Sequence, residues 1–118
     1  MTKEHDQEIE KQIQEKGLNA PRVKNENIDQ IMEKIVYNFT QVSEKRLICQ
    51  AIIGTFWIAD GNSVTVDPKN FDLELAKEVS LQNAKEAARN KLWEYEGWRL
   101  FRSLNQDIFK GVPDVEAE

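Results

Sequence analysis

The sequence has little of the chemistry on which most catalytic and metal sites depend. Among its 118 residues there is one cysteine, Cys49, and one histidine, His5. A structural or catalytic zinc site needs several cysteine, histidine or acidic ligands, and nucleophilic catalysis usually needs a base beside the nucleophile. Gly54 and Gly61 stand alone, so there is no glycine-rich phosphate loop. The sequence therefore predicts a binding protein rather than an enzyme, with no metal and no cofactor.

Long apolar runs are also missing. No stretch of 18 apolar residues could span a bilayer, and residues 1–16 lack the apolar core of a secretory signal. A lone cysteine cannot close a disulfide within the chain, which suits a reducing cytoplasm. The net charge is −5, of which residues 1–16 and 110–118 carry −2 each, leaving −1 for the body. Such a body argues against nucleic-acid binding, which requires clustered lysine and arginine.

Residue periodicity predicts an α+β fold with a small antiparallel sheet of about three strands. Residues 37–40 alternate between aromatic and polar side chains, and residues 47–59 form a long β-branched and aromatic run. The Asp60-Gly61 pair that follows is a strong hairpin signal. We therefore expect a turn at this pair and a short third strand over residues 63–66.

Helices are predicted on both sides of this sheet. Residues 1–16 and about 25–34 have the spacing of short amphipathic helices. A long C-terminal helix begins after Asp72, a good N-cap, and continues to about residue 109. Gly97 is the one residue that disfavours continuity, so the segment is either one helix or two.

The chain is long enough for one domain. Residues 1–20 are expected to be loosely ordered, because Ile9 and Ile13 give the first helix only a thin apolar stripe. Residues 20–109 form the predicted folded core, and residues 110–118 a disordered tail. The C-terminal helix is apolar over more surface than a small sheet can cover, so we expect a homodimer or a larger assembly.

Small residues and amides form a stripe along the long helix. The stripe consists of Ala76, Ser80, Asn83, Ala87 and Asn90. It favours a close helix–helix contact in a dimer, in which amides fix the register. Alternatively, it forms the floor of a pocket in which Asn83 binds a ligand. The two interpretations are compatible if the pocket lies beside the dimer contact.

Three arginines and one phenylalanine are candidate ligand contacts. Arg99 and Arg102 lie three residues apart beside aromatic side chains, and Arg22 follows a proline in a loop. They are either ordinary surface charges, favourable near a helix C-terminus, or guanidinium groups that bind an oxyanion. Phe71 either packs onto the core at the start of the long helix or stacks on a nucleobase.

Several short motifs resemble a widespread family of small phage and prophage early proteins that includes the first Thoeris anti-defence sponge to be described. The resemblance covers about residues 20–104. Its motifs are Pro21-Arg22-Val23, Asp60-Gly61-Asn62, the segment from Asp67 to Asp72, Asn83-Ala84 and the segment from Trp93 to Gly97.

This resemblance implies a function in the host bacterial cytoplasm. Bacterial TIR-domain enzymes convert NAD into a cyclised ADP-ribose isomer that activates a killing effector, and a sponge binds that signal without cleaving it. Proteins of this type are similar in forming dimers, sometimes rings of dimers, with the ligand near the contact. Some also bind cyclic oligonucleotides at a separate site.

The resemblance also implies roles for individual residues. Phe71 would stack on adenine, and Asn83 would hydrogen-bond to ribose or base. The pyrophosphate would contact Arg22 and Arg99, with Arg102 or Lys45 as alternative partners. A possible second nucleotide site would contain Arg46 and Lys45.

Two further functions remain open from the sequence. The acidic termini and exposed aromatic residues would also suit a protein–protein inhibitor of a host enzyme. A nucleotide hydrolase is the third reading, and recovery of the bound signal intact after heat denaturation would eliminate it.

Overall fold

A computed structural model describes residues 2–116 and confirms the predicted α+β fold. The elements are α1 (Lys3–Glu15), α2 (Asn25–Met32), β1 (Val36–Ser43), β2 (Arg46–Ile53), β3 (Phe56–Val64), a 3₁₀ turn (Pro68–Asn70) and α3 (Leu73–Leu104). The strands form one antiparallel sheet in the order β1-β2-β3. Helix α3 lies across β2 and β3, and α2 packs on α3. Residues 1 and 117–118, which belong to the predicted terminal segments, lie outside the described residues.

Asp72 caps the start of the C-terminal helix as predicted, and Asp67 caps the 3₁₀ turn before it. The Asp67 Oδ1 atom accepts a hydrogen bond from the Lys69 amide at 2.9 Å, and Asp72 Oδ1 accepts one from the Leu75 amide at 3.1 Å. Helix α3 then continues without a break through Gly97 for 32 residues, a length of about 48 Å. The choice between one helix and two is thereby settled in favour of one.

The hairpin between β2 and β3 turns at Gly54 and Thr55, so the prediction of a turn at Asp60-Gly61 is wrong. Gly54 has a φ of 62°, and glycine with positive φ at the first of two loop positions is typical of a type II′ turn. Asp60 and Gly61 instead lie inside β3, where Gly61 pairs with Cys49. The apolar run at residues 47–59 therefore contains a two-residue turn, Gly54-Thr55, that was not predicted from the sequence.

Close packing of α3 on the sheet explains why Gly61 lies inside a strand. A Cβ atom at Gly61 would come within 2.8 Å of the Ala84 Cα and nearer still to the backbone oxygen of Ser80. Ser80 and Ala84 are fully buried, and Ala76 is nearly so. Ser80 of the small-residue stripe and its neighbour Ala84 therefore pack against the sheet of their own chain, because small residues let the helix backbone approach a strand. Asn83 remains exposed.

The main core lies between α2, the sheet and the middle of α3. Its buried members are Ile28, Ile35, Ala51, Ile58, Ala59, Ala88 and Leu92. Ala88 and Leu92 lie one helical turn apart on α3, whereas Ala51, Ile58 and Ala59 come from the strands and Ile35 from the connection before β1.

Helix α1 is attached to the body through a polar anchor. Asp6 is only 2% exposed, and its Oδ2 atom accepts hydrogen bonds from Arg89 Nε at 2.5 Å and Trp93 Nε1 at 2.8 Å. The expectation of a loosely ordered segment was based on Ile9 and Ile13 alone, and the burial of the Asp6 carboxylate was not predicted. The division of the chain into a loose segment, a core and a tail stays a prediction.

The last turns of α3 carry an aromatic cluster. The Trp98 and Phe101 rings lie 6.2 Å apart, and Phe109 from the following turn lies edge-on to both. Trp98 and Phe101 nevertheless remain about half exposed, at 54% and 46%.

Within residues 2–116, none of the helices combines the length and the apolarity needed to cross a bilayer.

Candidate functional site

A cleft at the C-terminal end of α3 contains two of the predicted ligand-binding arginines. We call it the C-terminal cleft; its lining includes Trp98, Arg99, Arg102, Ser103, Gln106 and Phe109. Its volume is about 560 Å³, within the range of small-molecule sites. The Arg102 guanidinium lies 5.3 Å from the centre of the Phe109 ring, in a cation–π contact.

The charge of the C-terminal cleft is accessible. The Arg99 side chain is 80% exposed, and its contact with Glu96 measures 3.4 Å. An exposed ion pair of this length contributes little, so a ligand oxyanion can replace the Glu96 carboxylate. Asp114 also lines the cleft and partly offsets the two positive charges.

Arg22 lies beside the same cleft. A smaller cavity of about 280 Å³ is lined by Arg22, Asn27, Arg99 and Ser103, among others. The fold thus brings Arg22 close to Arg99, as the predicted pyrophosphate site requires. Arg22 is occupied by Glu10, however, with Nη1 2.8 Å from Oε1 and Nη2 2.6 Å from Oε2.

Phe71 lies far from these arginines. It is half-buried immediately before α3, and Arg99 lies 26 residues along that helix from Leu73. This separation corresponds to about 39 Å at the α-helical rise. Within one chain, therefore, the structure does not bring the predicted adenine and pyrophosphate contacts together.

Asn83 is linked to the predicted second site. Its Nδ2 atom donates to the Asn62 backbone oxygen at 2.9 Å. Arg46 donates to the Asn62 side chain from Nε at 3.1 Å and from Nη2 at 2.9 Å. Lys45 lies in the adjacent turn, where its Nζ is 3.4 Å from the Val66 oxygen. Asn62 thus accepts hydrogen bonds from both Asn83 and Arg46. The predicted turn at Asp60-Gly61 placed Asn62 outside a strand and gave no indication of these contacts.

Sequence reasoning also missed Arg89. It is 5% exposed, and its Nη1 atom donates to Asp29 Oδ1 at 2.8 Å. Burial by itself would lower the pKa of the Arg89 guanidinium, but its hydrogen bonds and charge interactions with Asp6 and Asp29 outweigh burial and raise that pKa. The spacing of Arg89 four residues before Trp93, on the same helix face, was the available signal.

Cys49 is fully buried under α3. Burial, followed by the negative charge of Asp60, raises the pKa of its thiol, while Lys85 opposes the shift. A buried thiol of raised pKa is a poor nucleophile and a poor metal ligand. Across residues 2–116, moreover, no three histidine, cysteine or acidic side chains are grouped so that they could hold a metal ion.

The fold defines a small two-layer α+β protein with an arginine- and aromatic-lined cleft at one end of its long helix. The chain belongs to the Phage protein (N4 Gp49/phage Sf6 gene 66) family, whose model matches residues 5–104. This match extends from the first turn of α1 to the end of α3. No curated protein and no solved structure matches the chain.

Proposed function

We propose that this phage protein binds and sequesters a cyclised ADP-ribose isomer made by bacterial TIR-domain enzymes, and so blocks Thoeris signalling without cleaving the ligand. Membership of a phage protein family supports the context. The observation that carries the proposal is the C-terminal cleft, where Arg99 and Arg102 lie beside the exposed Trp98 indole.

The chemistry of this cleft suits a dinucleotide-like signal. Planar guanidinium groups bind phosphate oxygens in pairs of parallel hydrogen bonds. The Trp98 ring offers a flat apolar surface to a base or ribose. A sponge that competes with an effector needs nanomolar affinity, about −12 kcal/mol. Contacts fixed on a preformed helix lower the ordering cost of reaching that value.

The separation of Phe71 from Arg99 favours a site shared between two chains. In a homodimer whose α3 helices run antiparallel, the start of one helix lies beside the end of the other. Phe71 of one protomer then stacks on the base while Arg99 of the other binds the pyrophosphate. Such a dimer would also cover exposed apolar side chains near both ends of α3, such as Leu75 and Trp98.

The direct test is calorimetry with purified cyclised ADP-ribose isomers. We expect one isomer to bind tightly and Arg99→Ala to weaken it by about 10- to 100-fold, the effect of losing a charge-assisted hydrogen bond. Phe71→Ala and Asn83→Ala should also weaken binding. The matched control is Lys91→Ala, which removes an exposed positive charge from α3 outside the C-terminal cleft.

Two outcomes would contradict the proposal. One is that no isomer binds at micromolar concentration, and the other is that Lys91→Ala weakens binding as much as Arg99→Ala. Heat denaturation of the complex should release the ligand intact, and release of a hydrolysed product would instead indicate a nucleotide hydrolase.

A protein–protein inhibitor of a host enzyme is the second candidate. It is favoured by the exposed apolar side chains Trp98, Leu104 and Ile108, at 54%, 54% and 62% exposure, which form part of one end of the molecule. A stoichiometric complex that lowers the activity of an identified host enzyme, and that Ile108→Asp disrupts, would support it. If the protein is such an inhibitor, calorimetry should show no binding of any ADP-ribose isomer.

A further inference from the structure

Helix α1 presents two carboxylates to basic side chains of the body. Asp6 and Glu10 lie four residues apart and therefore share one helix face. Asp6 accepts hydrogen bonds from Arg89 and Trp93, and Glu10 pairs with both terminal nitrogens of Arg22. Each carboxylate thus occupies a guanidinium group in the way that an anionic ligand would.

The Asp6 contact leaves polar atoms unsatisfied. Among the described residues, no hydrogen-bond partner is found for the buried Asp6 Oδ1 or for the buried Arg89 Nη2. The Arg89 side chain is only 6% exposed, so solvent does not readily replace the missing acceptor. A planar carboxylate offers two oxygens, whereas a phosphoryl group offers three and can approach Nη2 as well as Nε.

Apolar packing beneath α1 is incomplete. A cavity of about 320 Å³ lies between α1 and the body, with Ile9, Ile13, Val23 and Trp93 among its lining residues. Helix α1 packs mainly on α2, and it reaches α3 through Asp6. Among the described residues, the main core cluster contains no side chain of α1. This helix of 13 residues can therefore leave without disrupting that core.

We propose that α1 is a built-in competitor whose Asp6 and Glu10 carboxylates occupy a site for phosphate-bearing anions formed by Arg89, Trp93 and Arg22, and that such an anion binds by displacing α1. The two arginines face carboxylates one helical turn apart, about 5–6 Å between Cβ atoms, so a pyrophosphate can address both. Asp29 remains on Arg89 Nη1 and leaves Nε and Nη2 for the anion.

This site goes beyond the proposed function and does not rest on it. The C-terminal cleft uses Arg99 and Arg102, whereas Arg89 and Trp93 donate hydrogen bonds to Asp6 of α1. Release of α1 would change the accessibility of Arg22, which lines both the cavity under α1 and the smaller cavity that Arg99 also lines. Anion binding under α1 would thereby also free an arginine beside the cleft.

Hydrogen exchange with inorganic pyrophosphate as the probe tests the inference. The protein carries both Arg99→Ala and Arg102→Ala, so that neither arginine of the C-terminal cleft contributes to binding. We expect saturating pyrophosphate to accelerate amide exchange in residues 3–15 at least about tenfold, because exchange follows the population of the open state. Exchange within β2 should not accelerate.

The carboxylate variants supply matched comparisons. Asp6→Asn keeps the shape but weakens the hold on Arg89, so it should raise pyrophosphate affinity about tenfold. Glu8→Gln removes the same charge from α1 at an exposed position and should change affinity less than about twofold. Glu10→Gln is a second release variant, expected to act in the same direction as Asp6→Asn if the latter does not fold.

Three results would overturn the inference. Pyrophosphate could fail to bind at millimolar concentration, or it could bind while leaving α1 exchange unchanged or slower. Equal effects of Asp6→Asn and Glu8→Gln would show that general charge, and not occupation of Arg89, governs affinity. None of these results would alter calorimetric binding of ADP-ribose isomers to the wild-type protein, so the two proposals fail separately.

Discussion

Gly61 of β3 lies directly beneath Ala84 of α3, with too little space between the two backbones for a methyl group. A Cβ atom at Gly61 would overlap the Ala84 backbone nitrogen and lie 2.8 Å from its Cα. Both neighbours are parts of regular elements, so neither can move aside by a simple rotation. The distance between helix and sheet is therefore set by the absence of a side chain at one position.

The first prediction is that Gly61→Ala strongly destabilises the fold. The inserted methyl group must push α3 off the sheet, which we expect to lower the free energy of unfolding by about 3 kcal/mol, the upper end of the usual cost of overpacking. Urea denaturation followed by circular dichroism measures this change.

Gly97→Ala is its matched control. The substitution is chemically identical, but a Cβ atom at Gly97 meets nothing within 4 Å. Because alanine favours the helix interior, this variant should gain about 0.5–1 kcal/mol. Similar effects at the two positions would show that α3 does not pack this closely on β3.

The second prediction concerns the turn between β2 and β3. Gly54 has a φ of 62°, and a Cβ atom there would meet nothing within 4 Å. The cost of Gly54→Ala is therefore conformational alone, about 1–2 kcal/mol of unfolding free energy. Gly54→Asn should cost less, since asparagine tolerates left-handed backbone better than alanine. Equal costs for alanine and asparagine in thermal denaturation would contradict the turn geometry.

The third prediction is a loss of stability at alkaline pH. Burial raises the pKa of Cys49 above 9.0, with a further contribution from Asp60 that Lys85 opposes. Burial and the nearby Cys49 raise the pKa of Tyr37 above 10.0. The unfolded chain releases these protons at the ordinary values while the folded chain retains them. The stabilisation is thus complete below about pH 9 and is lost as pH rises through the folded-state values.

Denaturation at a series of pH values from 7 to above 10 would show this loss. Cys49→Ala should reduce the slope of unfolding free energy against pH between the two ordinary values, because one of the two groups is gone. An unchanged slope in the variant would exclude Cys49 as a contributor. The comparison is between slopes, so the overall stability of the variant does not affect it.

The fourth prediction follows from the proposal that the ligand site is shared between two chains. As homodimers, Phe71→Ala and Arg99→Ala should each bind more weakly than the wild-type protein, by about 10- to 100-fold for Arg99→Ala. After mixing and subunit exchange, random pairing places both wild-type contacts in one site of each heterodimer, so about a quarter of all sites should recover. Calorimetry of the mixture gives the number of restored sites. If mixing restores no binding although exchange is shown, the two residues do not act in one shared site.

Local sequence signals predicted the elements well where each signal acts within a few residues. Asp72 caps α3 because its carboxylate reaches an amide three residues away, and this contact needs no tertiary partner. Gly97 does not break the helix, because the strong helix-forming residues on either side outweigh one glycine. The fold class follows from such signals added along the chain.

The hairpin prediction failed for a reason that is not local. Asp60-Gly61 has the composition of a turn, but Gly61 is glycine because α3 crosses the strand at that point. The small residues of α3 were ambiguous for the same reason, since a partner helix, a ligand and the chain's own sheet all favour small side chains. The position of the helix over β3 explains the small size of Ser80 and Ala84.

The amino-acid sequence by itself determined the type of the elements, the capped start of α3 and the candidate arginines Arg22, Arg99 and Arg102, but not Arg89. These depend on propensity, capping and charge, which neighbouring residues fix. The tertiary structure alone decided which side chains meet: Arg22 beside Arg99, Asn83 with Asn62, and Asp6 under Arg89. Those contacts join residues far apart in the chain, and they form only where the packing of the helices and the sheet brings the side chains within reach of each other.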